Sequence, residues 1–291
     1  MAKRSKQYKV FQLFNVIILL LIVIITLYPF VYVVSQSFSA EKYIVAGKVN
    51  LFPKGFNVNT YLVVMKEKYF WIGYKNTVVY TVFGTIISLI MSTLLAYPLS
   101  KKRLKGKNIL MPFVVFTMFF NGGLIPNYLL IRNLGMRNTI WSIIIPGAIS
   151  TYNMIIMKSF FEGIPNELEE AASVDGASTY RTLVSIILPL SMPIMATMML
   201  FYAVGNWNNW FAPFLYFDSK DQFPVTLYLR NIIAGAQKTA VSSGSDSDAL
   251  AQIGATIKSA TIVLTVLPIL CIYPFIQKYF VTGVMIGSVK G

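Results

Sequence analysis

Residues able to do nucleophilic, acid–base or metal chemistry are scarce in this chain of 291 residues. It has no histidine and a single cysteine, Cys271. That excludes an intrachain disulfide, a Cys/His zinc cluster and any mechanism built on an imidazole base. No Gly-rich phosphate loop of the G-x-x-x-x-G-K-S/T kind occurs, so the chain lacks the usual means of binding ATP by itself. The carboxylates remain. Only 11 Asp and Glu are present, and four of them, Glu167, Glu169, Glu170 and Asp175, stand close together. A catalytic reading would need a base or nucleophile beside them, and no such constellation appears.

The acidic cluster reads as a short helix. Asn166 can cap its start, with Glu169 three residues later completing a capping-box-like pair and the acidic first turn facing the positive helix end. At about 100° per residue, Leu168, Ala171, Ala172 and Asp175 share one narrow face, with Glu167 and Glu169 flanking it and Glu170 opposite. Gly176 then permits a turn or close packing, and a second short helix starts near Ala177 or Ser178. Small side chains on a projecting face would let another backbone approach. The residues alone also fit an ordinary capped helix lying on a bilayer surface.

The elements that must carry this loop are membrane spans. The chain is 56% hydrophobic and 12% charged, with a mean hydropathy of +0.63. A soluble domain carries about twice that share of charge. Val16 to Val34 is charge-free and dominated by Val, Ile, Leu and Phe. It is longer than the roughly 7 to 15 apolar residues of a signal peptide, so it reads as a retained span despite the small residues at Ser37-Phe38-Ser39. Further runs of bilayer length complete a set of six spans, near 13–35, 76–100, 108–131, 138–158, 183–205 and 259–278. The expected fold class is therefore an all-α integral membrane protein with six transmembrane helices. It comprises a tail 1–12, one six-span membrane domain 13–281 with the acidic loop at 162–182 and an outer segment at 206–258, and a tail 282–291. The many prolines within these runs mark kinks or span ends, because neighbouring helices can re-satisfy the freed carbonyls.

Short loops set the orientation. The linker from Lys101 to Lys107 holds five basic residues in seven and the first nine residues hold four, whereas the short loop around Arg132 and Arg137 holds two. Both termini and the basic linker are expected in the cytoplasm. Summed over every segment the basic residues divide almost evenly, so only the short loops support this orientation. The formal charge of +14 is accordingly spread over loops, with its densest part in that linker, and is no nucleic-acid footprint. Every Lys, Arg, Asp and Glu can be placed outside the apolar cores, which leaves no obvious carboxylate for coupling to a proton or sodium gradient. A stand-alone carrier or channel is the alternative that this argues against.

Two groups of amide, glycine and aromatic residues near outer span ends are candidates for lining a solute path. One is Asn121, Gly122, Gly123, Asn127 and Tyr128, which interrupts the third span where irregular backbone needs protein or water beside it. The other is Asn206, Trp207, Asn208 and Trp210, with Asn209 between them, after the fifth span. Asn153 in the fourth span is a lone amide that serves equally as glue between helices. Interfacial aromatic belts and glycine packing account for the same residue types.

The acidic loop also carries a resemblance. Glu170-Ala171-Ala172, three residues, Gly176, nine residues, Ile186, one residue and then Leu188-Pro189 resembles the EAA motif of the membrane subunits of ATP-binding-cassette importers at each position. The tail from Pro274 to Gly291 and Trp207-Asn208-Asn209-Trp210-Phe211-Ala212-Pro213 look like sugar-importer permeases related to the smaller maltose-system subunit. Phe119-Phe120-Asn121-Gly122-Gly123-Leu124-Ile125-Pro126 looks like the oligosaccharide branch. The resemblance implies a type I importer permease of the bacterial cell membrane. Its coupling helix would be built from Glu170, Ala171, Ala172 and Gly176, with Asp175 and Arg181 as polar contacts and Ile186, Leu188 and Pro189 leading to the next span. It implies no cofactor on this chain. The implied partners are a second homologous permease, two ATP-binding subunits that use ATP and Mg, an extracytoplasmic solute-binding protein, membrane lipid and a sugar or oligosaccharide. A permease of the same architecture for a non-sugar solute stays open.

Overall fold

The computed structural model describes residues 6–242 and 256–271, together with Pro274. Among them every regular element is helical, as the apolar runs predict. Two compact units are drawn from Met1–Lys68 with Leu229–Leu267 and from Tyr69–Tyr228 with Pro268–Gly291.

The first unit begins with α1 (Lys6–Ser37), which continues past Pro29 without ending. Its apolar side chains are exposed all round, Leu19 and Ile25 among them, as suits a helix whose solvent is lipid. The short helices α2 (Glu41–Val45) and α3 (Asn59–Lys66) follow. Hydroxyls knit this segment to the end of α1. Ser35 Oγ donates to Leu51 O at 2.6 Å, Tyr61 OH donates to Ser37 Oγ at 2.7 Å, and Phe38 stacks on Phe56.

In the second unit, α4 (Lys68–Ser100) is a continuous span that starts earlier than its charge-free run, with Lys68 and Lys75 in its first turns. The next three expected spans are interrupted or bent. The third divides into α5 (Lys107–Phe119) and α6 (Leu124–Asn133), which meet at 111° across Asn121-Gly122-Gly123. The fourth is α7 (Trp141–Ile144) and α8 (Thr151–Glu162), parted at Pro146-Gly147. After α9 (Glu167–Val174) and α10 (Thr179–Thr182), a π turn at Leu183–Ile187 and α11 (Leu188–Leu190) lead into α12 (Met192–Trp207). The fifth span thus carries an 84° bend at Ser191, between Pro189 and Pro193, rather than running straight from 183 to 205. Beyond it come α13 (Phe211–Tyr216) and a 3-10 turn at Lys220–Gln222, after which α14 (Val225–Ser242) and α15 (Thr256–Cys271) return the chain, over Leu229–Leu267, to the first unit. The sixth run is described only as α15 and Pro274, and the carboxyl tail lies outside the described residues. By length and composition two helices can cross a membrane, or up to four if each bent pair is one span. That count is of the described residues alone, to which the sixth run contributes only α15 and Pro274.

Small and hydroxyl residues on one face of α4, including Gly73, Thr77, Gly84, Ser88, Ser92 and Ala96, let its neighbours approach closely. At Ser92 the hydroxyl lies 2.6 Å from Tyr202 OH of α12, and the same phenol accepts from Ser150 N at the start of α8. One side chain thereby ties three helices. Below it, Tyr97, Met154, Met157, Phe161, Leu183 and Ile187 form the larger buried cluster.

At Gly84 a Cβ would sit 2.8 Å from Asn206 Nδ2. Gly84→Val is expected to destabilise the protein by about 1–3 kcal/mol through overpacking. Thermal unfolding in detergent would measure this, and an unchanged melting temperature would contradict the contact.

Candidate functional site

The acidic loop is built as two short helices, as its sequence suggests, but its ends are made differently. Asn166 has helical backbone angles and its side chain makes no capping bond. Glu169 does not complete a capping box because its carboxylate turns inward to Lys101. The other end is a Schellman motif. Ala177 N donates to Ala172 O at 2.9 Å and Gly176 N donates to Ser173 O at 3.1 Å. Gly176 takes φ +75°, the left-handed conformation such a stop requires, and open space surrounds the position of an added Cβ. Of the two roles open to it, this glycine makes the turn. Ser178 then caps α10 by accepting from Arg181 N.

Burial corrects the expected face. Glu169 and Ala172, three residues apart, form the inward stripe at 9% and 7% exposure. Glu167, Glu170, Ala171 and Asp175 all face out, and so do Leu168 at 40% and Val174 at 87%. Ala172 therefore does not share the outward face with Leu168, Ala171 and Asp175. Asp175 and Arg181 are exposed and neither joins an ion pair among the described residues. Ile186 and Leu188 are half-buried beside fully buried Ile187, while Pro189 is exposed at the approach to the bend.

The seat of α9 is electrostatic. Lys101, the first residue after α4, pairs with Glu169 and lies 4.7 Å from the Tyr97 ring centroid. Tyr97 in turn packs edge-on against Phe161 of α8. A second knot joins α5 to α8: Glu162 accepts from Lys107 at 3.0 Å and from Lys158, one turn earlier, at 2.8 Å. Partial burial alone would raise the Glu162 carboxyl, but hydrogen bonds and charge from Lys158 and Lys107 hold it below the ordinary carboxylate range. These pairings were not identified from sequence. Five positive charges in one short loop and a cluster of carboxylates in another are the signal the sequence offers for them.

The outer candidates divide. Asn121 Oδ1 accepts from Gly123 N and from Asn127 Nδ2, so these residues form one exposed elbow at the 111° break, with Gly122 between them and Gly123 at φ +92°. Tyr128 instead stacks on Tyr216 at 6.1 Å beneath Arg137. Arg137 and Asn138 both bond to Asp218, closing a polar clip. Asn206 lies flat on Gly84 with Nδ2 3.4 Å from Thr85 Oγ1, as an interhelical contact. Trp207 packs edge-on to Tyr74 and lines an apolar cleft of about 290 Å³ with Val78, Leu200 and Val204. Asn208 folds back onto Val204 O, and Trp210 packs on Phe211. Asn153 is buried in α8. Of the ten candidates, the elbow residues Asn121, Gly122, Gly123 and Asn127 are the group that stands exposed together.

Residues 70–286 match the family described as binding-protein-dependent transport system inner membrane component. Protein LplC of Bacillus subtilis is 40% identical over 287 residues, covering 99% of this chain and 97% of that protein. The polygalacturonan/rhamnogalacturonan transport system permease protein YtcP of the same organism is also 40% identical, with 96% and 99% covered. Among solved structures, a bacterial ABC transporter involved in the import of the acidic polysaccharide alginate superposes with a TM-score of 0.85 at 33% identity, covering 96% of this chain and 100% of that one.

The inward position of Ala172 separates two neighbouring alanines. Ala172→Leu is expected to lower stability by about 1–3 kcal/mol by overpacking the seat. Ala171→Leu, on the exposed side, should leave the melting temperature of the isolated chain unchanged. Equal shifts in both would contradict the burial pattern.

Proposed function

Because the chain belongs to the family of binding-protein-dependent transport system inner membrane components, we propose that it is the permease subunit of an ATP-driven importer, forming half of a translocation path for an oligosaccharide. The observation that carries this is α9. It is a helix seated by Glu169 and Ala172 that presents Leu168, Val174, Glu167 and Glu170 outward, exposed among the described residues. Apolar side chains exposed on a charged loop suit a cleft on another protein. The chain has no phosphate loop, so that protein supplies the ATP chemistry with Mg.

The assembly comprises this chain, a second homologous permease, two ATP-binding subunits and an extracytoplasmic solute-binding protein, in the bacterial cell membrane with both termini cytoplasmic. Closure of the ATPases moves α9 as a lever and rocks the spans between inward-open and outward-open states. The elbow at Asn121 to Asn127 offers amide groups to sugar hydroxyls at the outer end of the path. YtcP is named for polygalacturonan and rhamnogalacturonan, and the structural relative for alginate. Both names point to uronic-acid polymers, which supports an acidic oligosaccharide as the solute.

The test is co-purification from native membranes, followed by ATPase and uptake assays in proteoliposomes with uronic-acid and neutral oligosaccharides. An ATPase and a second permease are expected to co-purify, and the acidic sugar to stimulate hydrolysis. Uptake by this chain reconstituted alone would overturn the proposal. Gly176→Pro cannot adopt φ +75° and is expected to reduce uptake at least about tenfold while the spans still insert. Normal uptake by that variant would refute the docking role of the loop.

A further inference from the structure

Two pairings in the second unit connect segments that a linear view of the chain keeps apart. Glu169 is the only carboxylate of α9 turned into the protein, and its partner Lys101 directly follows α4. Lys101 is itself held against the Tyr97 ring, and Ser100 Oγ donates to Tyr97 O at 2.6 Å, so the ammonium stands on an ordered helix end. At the other end of the linker, Lys107 opens α5 and reaches Glu162 at the close of α8.

The covalent route from α9 to its own span is a poor rod by comparison. It passes a left-handed Gly176, an extended Ser178, the π turn at Leu183–Ile187 and the 84° bend at Ser191. Each is a place where backbone angles can absorb movement. The Lys101–Glu169 contact bypasses all of them. Its side chains are 12% and 9% exposed, so water competes weakly for a charge-assisted bond.

We propose that Lys101 and Glu169 are positioning residues that make α4 a second lever, so that displacement of α9 is delivered to the span at Lys68–Ser100 as well as to α12. The inference rests on the reading that α9 docks an ATPase. It gives the basic linker a mechanical role in addition to fixing orientation, with Lys107–Glu162 keeping α5 and α8 in step at the same level.

The experiment uses the assembled transporter carrying Glu169→Gln, Lys101→Glu, or the exchanged pair Lys101→Glu with Glu169→Lys. Subunit stoichiometry, ATP hydrolysis and sugar uptake are measured on each. The single variants are expected to assemble and hydrolyse ATP while uptake per ATP falls about tenfold, the scale set by losing one charge-assisted hydrogen bond. The exchanged pair should recover most of that ratio. A purely structural role would change the amount of assembled complex and leave the ratio alone. An unchanged ratio in Glu169→Gln overturns the inference, as does an exchanged pair that restores assembly without restoring the ratio. If the wild-type chain retains no ATPase, the docking reading fails and this inference fails with it.

Discussion

Hydrocarbon offers no partner to a peptide N–H or C=O, and each one left bare costs several kcal/mol. The helical character of the described chain follows from this, and so do the places where the helices stop. At the 111° elbow the side chain of Asn121 takes the Gly123 N–H that a continuous helix would have bonded internally. At the 84° bend Ser191 N is shared between Ile187 O and Leu188 O, and the Thr197 hydroxyl reaches the Pro193 carbonyl at 2.9 Å. At the elbow a local side chain thus takes up a backbone donor that the break would leave bare. The interruptions give the third and fifth runs their non-linear course.

Keeping charge out of the spans has a second consequence. With only 11 carboxylates in the chain, those present are concentrated at the loop between α8 and α12 and met by a linker rich in lysine. The charge pattern that orients a membrane protein during insertion then serves again after folding. Opposite charges on two separate loops draw α9 onto the end of α4, and the aromatic pair Tyr97 and Phe161 supplies a buried floor for the contact. The membrane-facing surface has no share in this, since α1 exposes apolar side chains on every side.

Comparable logic governs the turn between α6 and α7. Arg137, Asn138 and Asp218 close a clip between the α6–α7 turn and the end of α13, while Tyr128 stacks on Tyr216 beside it. Residues that resemble sugar-binding groups by type are used here for packing. Asn206 holds Gly84 and Thr85 across 121 positions of sequence, and Trp207 fills an apolar cleft wall. Amides and aromatics at span ends serve both purposes, so residue type alone does not separate them.

The sequence by itself determined the all-α class, the apolar runs, the two-helix acidic loop and the turn at Gly176. These depend on local runs and fixed spacings, which are one-dimensional. Family membership was legible for the same reason, from the spacing between Glu170 and Pro189. Tertiary structure decided which side of α9 faces inward, because eight residues of helix fix a periodicity and leave its phase to neighbours. It also decided that Lys101 and Glu169, 68 positions apart, meet, and that three of the runs break or bend. Those outcomes depend on surfaces contributed by distant segments, and no single window of sequence contains both sides of such a contact.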